Sequence, residues 1–92
     1  MSFYTYMLKS ISHNSNKTYV GYAKNLLSRL DKHNSNKGAK STKGLKWKII
    51  YSKKFETKSE AMSFEYKLKK NRKKRKIILE KFVNENIYIT TI

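Results

Sequence analysis

The residues with a claim to chemistry are a lone glutamate, an arginine–histidine pair and a set of tyrosines. Around Glu65, Ala61, Phe64 and Leu68 mark an apolar helical stripe, and the helical repeat assigns a further apolar residue to position 65. A carboxylate there is costly to bury without a cation. Glu65 therefore either ligates a metal or sits at the edge of the stripe and pairs with Lys69 one turn on. Arg29 and His33 share an i, i+4 spacing and flank Leu26 and Leu30, forming one polar edge beside a core-facing stripe. Arginine supplies a bidentate fork and histidine a donor or proton acceptor near neutral pH, so the pair suits a phosphate. Either residue alone fits a solvated helix face better, and Asp31 on the same segment reads as surface charge. Tyr4, Tyr6, Tyr19 and Tyr22 fall on two strand-like segments, with Tyr4 and Tyr6 on one face. Cross-strand packing accounts for each of them by itself. A tyrosine acting as a base needs its pKa of about 10 depressed by a nearby cation. Arg29 and a metal on Glu65 would provide one.

The elements that must position these groups can be read from periodicity. Residues 3–10 mix aromatics with Thr5 and Leu8, residues 17–22 read Lys-Thr-Tyr-Val-Gly-Tyr, and the intervening residues 12–16 are turn-forming, which predicts a β-hairpin. Ala23, Leu26, Leu27 and Leu30 recur at helical spacing with Asn25 as an N-cap, predicting a helix over 26–33 or slightly further. Residues 34–46 lack periodicity and carry Lys37, Lys40, Lys43 and Lys46, a basic loop. Residues 47–55, rich in Ile and aromatics after Gly44, predict a third strand. Thr57 and Glu60 form a capping box that opens the helix bearing Glu65. That helix runs into residues 67–76, all Lys or Arg except Leu68 and Asn71, after which Ile77, Ile78, Phe82 and Val83 suggest a third, short helix. Residues 87–92 are β-branched except Tyr88 and fit a strand or a frayed tail. We read 1–83 as one domain and 84–92 as a C-terminal tail.

The chain has 92 residues and a formal charge of +16, so its surface is cationic and its partner a polyanion. The 38% hydrophobic content suffices for one small core. With no cysteine, thiolate metal sites and disulfides are excluded, and a metal would need oxygen or imidazole ligands, which favours a hard cation such as Mg²⁺. No segment reaches the roughly 20 apolar residues of a membrane span, and the N-terminus has no signal-peptide pattern, so a cytoplasmic protein is expected. A basic helix binding acidic lipid is disfavoured by the lack of Trp or Phe within 67–76. The nucleic-acid-binding candidates are the four loop lysines and Lys67, Lys69, Lys70, Arg72, Lys73, Lys74, Arg75 and Lys76.

Taken in order, Tyr4-Thr5-Tyr6, Tyr19-Val20-Gly21, Arg29, His33 and Glu65 resemble the motifs of the GIY-YIG nuclease superfamily, and most closely its small stand-alone YhbQ-like (UPF0213) group. The likeness runs from about residue 3 to 78, and 29–34 and 55–61 also read like that group. Tyr4 and Thr5 replace the nominal Gly and Ile, Tyr22 stands where excinuclease members place a lysine, and no matching asparagine follows Glu65. The resemblance implies a small α/β sandwich with a central three-stranded antiparallel sheet flanked by helices. It also implies catalytic roles for Tyr6, Tyr19, Arg29, His33 and Glu65, with Glu65 binding a single Mg²⁺ or Mn²⁺ ion. Arg29 would stabilise the charge of the pentavalent state, Tyr6 or Tyr19 would orient or deprotonate water, and His33 would hold a tyrosine or relay its proton. The expected function is a divalent-metal-dependent endonuclease on DNA, favoured over RNA, with branched, damaged or single-stranded DNA as candidate substrates. Its rivals are a non-catalytic nucleic-acid-binding protein that keeps the fold, and a subunit active only with a partner.

Overall fold

The computed structural model describes residues 2–11 and 17–91, with side chains through Asn84. The expected turn at 12–16 lies outside the described residues. Three strands, β1 (Phe3–Ser10), β2 (Thr18–Ala23) and β3 (Trp47–Phe55), form one antiparallel sheet in the order β2-β1-β3. Helix α1 (Leu26–Asn34) covers one face; α2 (Lys58–Lys70) and α3 (Arg72–Thr91) cover the other. The expected α/β architecture is present.

Because side chains alternate along a strand, central β1 feeds both faces. Tyr6 and Leu8 join Ala23 and Trp47 beneath Leu26 and Leu30 of α1, whereas Met7 joins Val20, Leu68, Phe64 and Ile78 on the α2/α3 side. On that second face Thr5 Oγ1 also donates to the Ala61 carbonyl at 2.7 Å, pinning α2 to the sheet. β3 reaches both cores through a bulge. Met7 pairs with Tyr51 but Leu8 pairs with Ile49, so Ile50 is an extra residue and the alternation inverts there. Trp47 and Ile49 face α1, while Tyr51 faces α2 and α3.

The caps follow the sequence signals. Asn25 Oδ1 accepts from the Ser28 amide at 3.0 Å, and Thr57 Oγ1 accepts from the Glu60 amide at 3.2 Å. Two boundaries differ from expectation. The third helix is not short and does not begin after the charge run; it starts at Arg72, so the basic residues 72–76 are its first turns. Lys and Arg are good helix formers and do not interrupt a helix; Asn71 does, closing α2 and accepting from the Lys74 amide at 3.0 Å to start α3. The backbone then remains helical to Thr91, where the sequence allowed a strand or a frayed tail. Among the described residues, no helix is long and apolar enough to cross a membrane.

The basic loop is tied down by its asparagines. Asn34 Oδ1 accepts from the Trp47 amide at 2.7 Å and its Nδ2 donates to the Trp47 carbonyl, joining the end of α1 to the start of β3. Asn36 Oδ1 accepts from the Gly44 amide at 2.8 Å. Between these ties a single 3₁₀ turn, Lys40–Thr42, carries a fully buried Thr42.

Candidate active site

Arg29 and His33, one turn apart on α1, lie against Tyr6 of the central strand. The Tyr6 hydroxyl is 2.8 Å from His33 Nε2 and accepts a longer, 3.4 Å bond from Arg29 Nε. Tyr6 and His33 are both fully enclosed, at 1% and 0% exposure. On the other side of the imidazole, Nδ1 is 2.9 Å from Thr42 Oγ1. Tyr19 of β2 sets its ring 5.0 Å from the imidazole and 6.4 Å from the Tyr6 ring, centre to centre. Gly21 faces Tyr6 across the strand pair, and a Cβ there would lie 2.5 Å from the phenolic oxygen and 3.0 Å from the Tyr19 ring. Only glycine allows this approach.

The edge of β2 opens into a cleft of about 450 Å³. Tyr19, Gly21 and Arg29 reach it from the α1 side, and Tyr22, Met62, Glu65 and Lys69 from the α2 side, with Lys24 beside them. The cleft thus straddles the sheet edge and joins residues from both helical layers. The pairing reading of Glu65 is present, with its Oε1 3.1 Å from Lys69 Nζ, and the same side chain lines the cleft. Its side chain keeps 18% exposure, so the carboxylate is not sealed. Where Tyr22 stands in place of a lysine, Lys24 and Lys69 supply cations to the cleft wall.

Burial governs the electrostatics. Desolvation pushes the Tyr6 phenol up to about 12, outweighing the opposing hydrogen bond from Arg29. This corrects the expectation that Arg29 would depress a tyrosine at this site: for Tyr6 the low-dielectric surroundings dominate. Burial, and then the charge of Arg29, lower the His33 pKa below its ordinary value, so the ring is neutral at neutral pH. The Tyr6 oxygen, in turn, holds the Arg29 guanidinium more firmly protonated.

The basic candidates do not form a single group. Lys37, Lys40, Lys43 and Lys46 are exposed on the loop of the α1 layer, where Lys46 Nζ donates to the Asn34 carbonyl. Lys67, Lys69 and Lys70 end α2, and Arg72, Lys73, Lys74, Arg75 and Lys76 begin α3, on the opposite layer. Lys67, Lys70, Arg72 and Lys73 line a hollow at the α2–α3 corner together with Tyr66 and Asn71, and Lys70 Nζ sits 4.4 Å above the Tyr66 ring. Arg75 is only half-buried at the surface, and its Nε is enclosed. Sequence reasoning passed over Gly21 as a packing requirement and Thr42 altogether. Gly21 stands inside the second aromatic segment, where its spacing was available as a signal. Nothing in the sequence separates Thr42 from the other small polar residues of its loop.

Comparison with known proteins agrees with this arrangement. Residues 2–78 match the GIY-YIG catalytic domain. A UPF0213 protein of Pediococcus pentosaceus is 38% identical over 85 residues, covering 91% of this chain and 83% of the relative. One of Streptococcus pneumoniae is 45% identical over 69 residues, 74% of this chain and 67% of the relative. The solution structure of a UPF0213 protein of Bacillus halodurans superposes with a TM-score of 0.51 at 33% identity, covering 87% of this chain and 84% of that one. With the fold, the order of the polar residues and the extent of the match in agreement, the chain belongs to the GIY-YIG catalytic domain family, among its UPF0213 members.

Proposed function

We propose that this protein is an endonuclease that hydrolyses phosphodiester bonds in DNA, using one Mg²⁺ or Mn²⁺ ion. The observation that carries this reading is the convergence of Tyr19, Arg29 and Glu65 on one open cleft, with Tyr6 and His33 hydrogen-bonded directly behind it. A binding protein needs its lysines but has no use for a buried tyrosine–imidazole pair.

The donor set suits the ion. Glu65 is the acidic side chain of the cleft, and among the described residues no group of three or more His, Cys, Asp or Glu is gathered elsewhere as a closed metal cage. A single carboxylate on an open wall fits a hard cation that keeps several waters and takes further oxygens from a phosphate. When bound, such an ion polarises a phosphate oxygen as a Lewis acid. The protein's own groups do the rest. Arg29 stabilises the added negative charge on the phosphate in the transition state. Tyr19, exposed to the cleft, orients the attacking water. The high Tyr6 pKa keeps that phenol protonated, so Tyr6 passes its proton to neutral His33 as it takes one from the water. The released 3′-oxygen takes its proton from solvent in the open cleft.

One contact favours a second reading, a non-catalytic nucleic-acid-binding protein: Lys69 already neutralises Glu65. The two are separated by incubating the protein with labelled duplex, single-stranded, flap and branched DNAs and RNA, with Mg²⁺ or with chelator. The nuclease reading expects cleavage with Mg²⁺ only, and a Glu65→Gln variant that binds but does not cut. Binding in both should weaken with salt at a slope of about 0.9 per neutralised phosphate on duplex. Binding by the wild type without cleavage of any substrate would leave the second reading.

A further inference from the structure

The hydrogen bonds around His33 run in one direction, and that direction decides which ring nitrogen carries the proton. At one end, Arg29 Nε–H can only donate, so the Tyr6 oxygen accepts from it, leaving the Tyr6 hydrogen for His33 Nε2 at 2.8 Å. At the other end, Thr42 Oγ1 lies 2.8 Å from the Ala39 carbonyl, which can only accept. The one hydroxyl hydrogen of Thr42 goes there, so its 2.9 Å contact with His33 must be Nδ1–H donating to Oγ1. Both ends give the same answer: proton on Nδ1, lone pair on Nε2. The opposite tautomer would place Nε2–H against a phenol already accepting from Arg29 and would leave the buried Tyr6 hydrogen with no acceptor.

The loop around Thr42 is built to hold this arrangement. Thr42 is wholly buried, its amide bonds to the Ala39 carbonyl at 3.1 Å, and its own carbonyl accepts from Trp47 Nε1 at 3.0 Å. Gly38 lies flat against the imidazole, where any Cβ would overlap Nδ1. We propose that Thr42 is a positioning residue whose hydroxyl locks His33 in the Nδ1–H tautomer, so that Nε2 faces Tyr6 as a proton acceptor. The consequence for cleavage rests on the nuclease reading above; the tautomer does not.

The test reads the ring directly. In ¹⁵N-labelled protein with His13 replaced by Gln, leaving one imidazole, long-range ¹H–¹⁵N correlation distinguishes the protonated from the bare ring nitrogen. The wild-type ring should carry its proton on Nδ1. Thr42→Val, close in shape but without the hydroxyl, should lose that preference, and Thr42→Ser should keep it. Cleavage should follow: a fall of about 10–100-fold in kcat for the valine variant, the usual cost of removing a partner that orients a functional imidazole, with KM unchanged and serine rescuing. A wild-type ring protonated on Nε2, or a valine variant with an unaltered ring spectrum, would overturn the proposal. If the valine variant fails to fold, Thr42→Ala removes the same hydroxyl without adding bulk and is read in the same way. If the wild type cleaves nothing, the nuclease reading fails while the ring spectra judge this one separately.

Discussion

The two faces of β1 are made of different material. Toward α1, a polar chain of Arg29, Tyr6, His33 and Thr42 runs through the core beside Leu8 and Trp47. Toward α2 and α3, Met7, Val20, Leu68 and Phe64 pack as an ordinary apolar layer in which Thr5 makes a single bond to the α2 backbone. Burying polar groups is costly unless every partner is supplied, and the α1 face supplies them. A small domain does not carry such a network for stability when a few apolar side chains would serve equally well. The apolar face holds the sheet together; the polar face holds a constellation in place.

That contrast can be broken most sharply by removing one oxygen. Tyr6→Phe keeps the ring but severs Arg29 from His33, and cleavage should fall by about 10²–10⁴, the range for general acid–base groups. Tyr51→Phe, on the opposite face, should leave the rate unchanged. Equal rates in wild type and Tyr6→Phe would remove the polar face from the chemistry.

The converse substitution comes next in size. Leu68→Ala empties a buried site on the apolar face and should destabilise the domain by about 2–5 kcal/mol in urea unfolding. Cleavage per folded molecule, measured well below the melting temperature, should be unaffected. A loss of rate as large as that of Tyr6→Phe would erase the distinction between the faces.

The smallest effect is the dependence on pH. Among the described residues, the two enclosed titratable groups, Tyr6 and His33, both belong to the polar face. His33 has a lowered pKa in the folded protein, so below about 6.5 the unfolded chain takes up its proton first. Its contribution to stability is therefore complete above that value and is lost as pH falls through the folded pKa. Cleavage should be level above about pH 6.5 and decline below it as His33 Nε2 is filled. Protection from amide hydrogen exchange, corrected for the intrinsic pH dependence and followed across this range, should weaken first in α1 and last in α2. A uniform response of both helices would contradict the asymmetry.

Much of this design was legible in the sequence. The hairpin strands, α1 with its Asn25 cap, β3, and α2 with its Thr57 cap follow from periodicity and end signals that act over a few residues. The order of Tyr6, Tyr19, Arg29, His33 and Glu65 pointed to a common site through its resemblance to the GIY-YIG motifs, whereas packing or surface charge accounted for each tyrosine and for Arg29 or His33 taken singly. Less local features were not legible. The start of α3 depended on Asn71 acting as both the end of one helix and the cap of the next. The Tyr6 pKa depended on how deeply α1 covers it, which residue type does not reveal. Thr42 acts only because the loop folds back onto His33, a contact between residues whose spacing carries no pattern.

The bulge at Ile50 bears on how this protein can change over generations. Ile49 pairs with Leu8 and Tyr51 with Met7, so Ile50 is surplus to the ladder although it packs on the α2/α3 core. Losing its codon would straighten β3 at the cost of that contact and leave Trp47, Ile49 and Tyr51 on their present faces. Gaining a codon between Trp47 and Ile49 is different, because with the bulge kept in place it would turn Trp47 away from the Asn34 and Thr42 bonds that hold it. β3 is therefore a stretch that can shorten by one residue at the bulge more readily than it can lengthen.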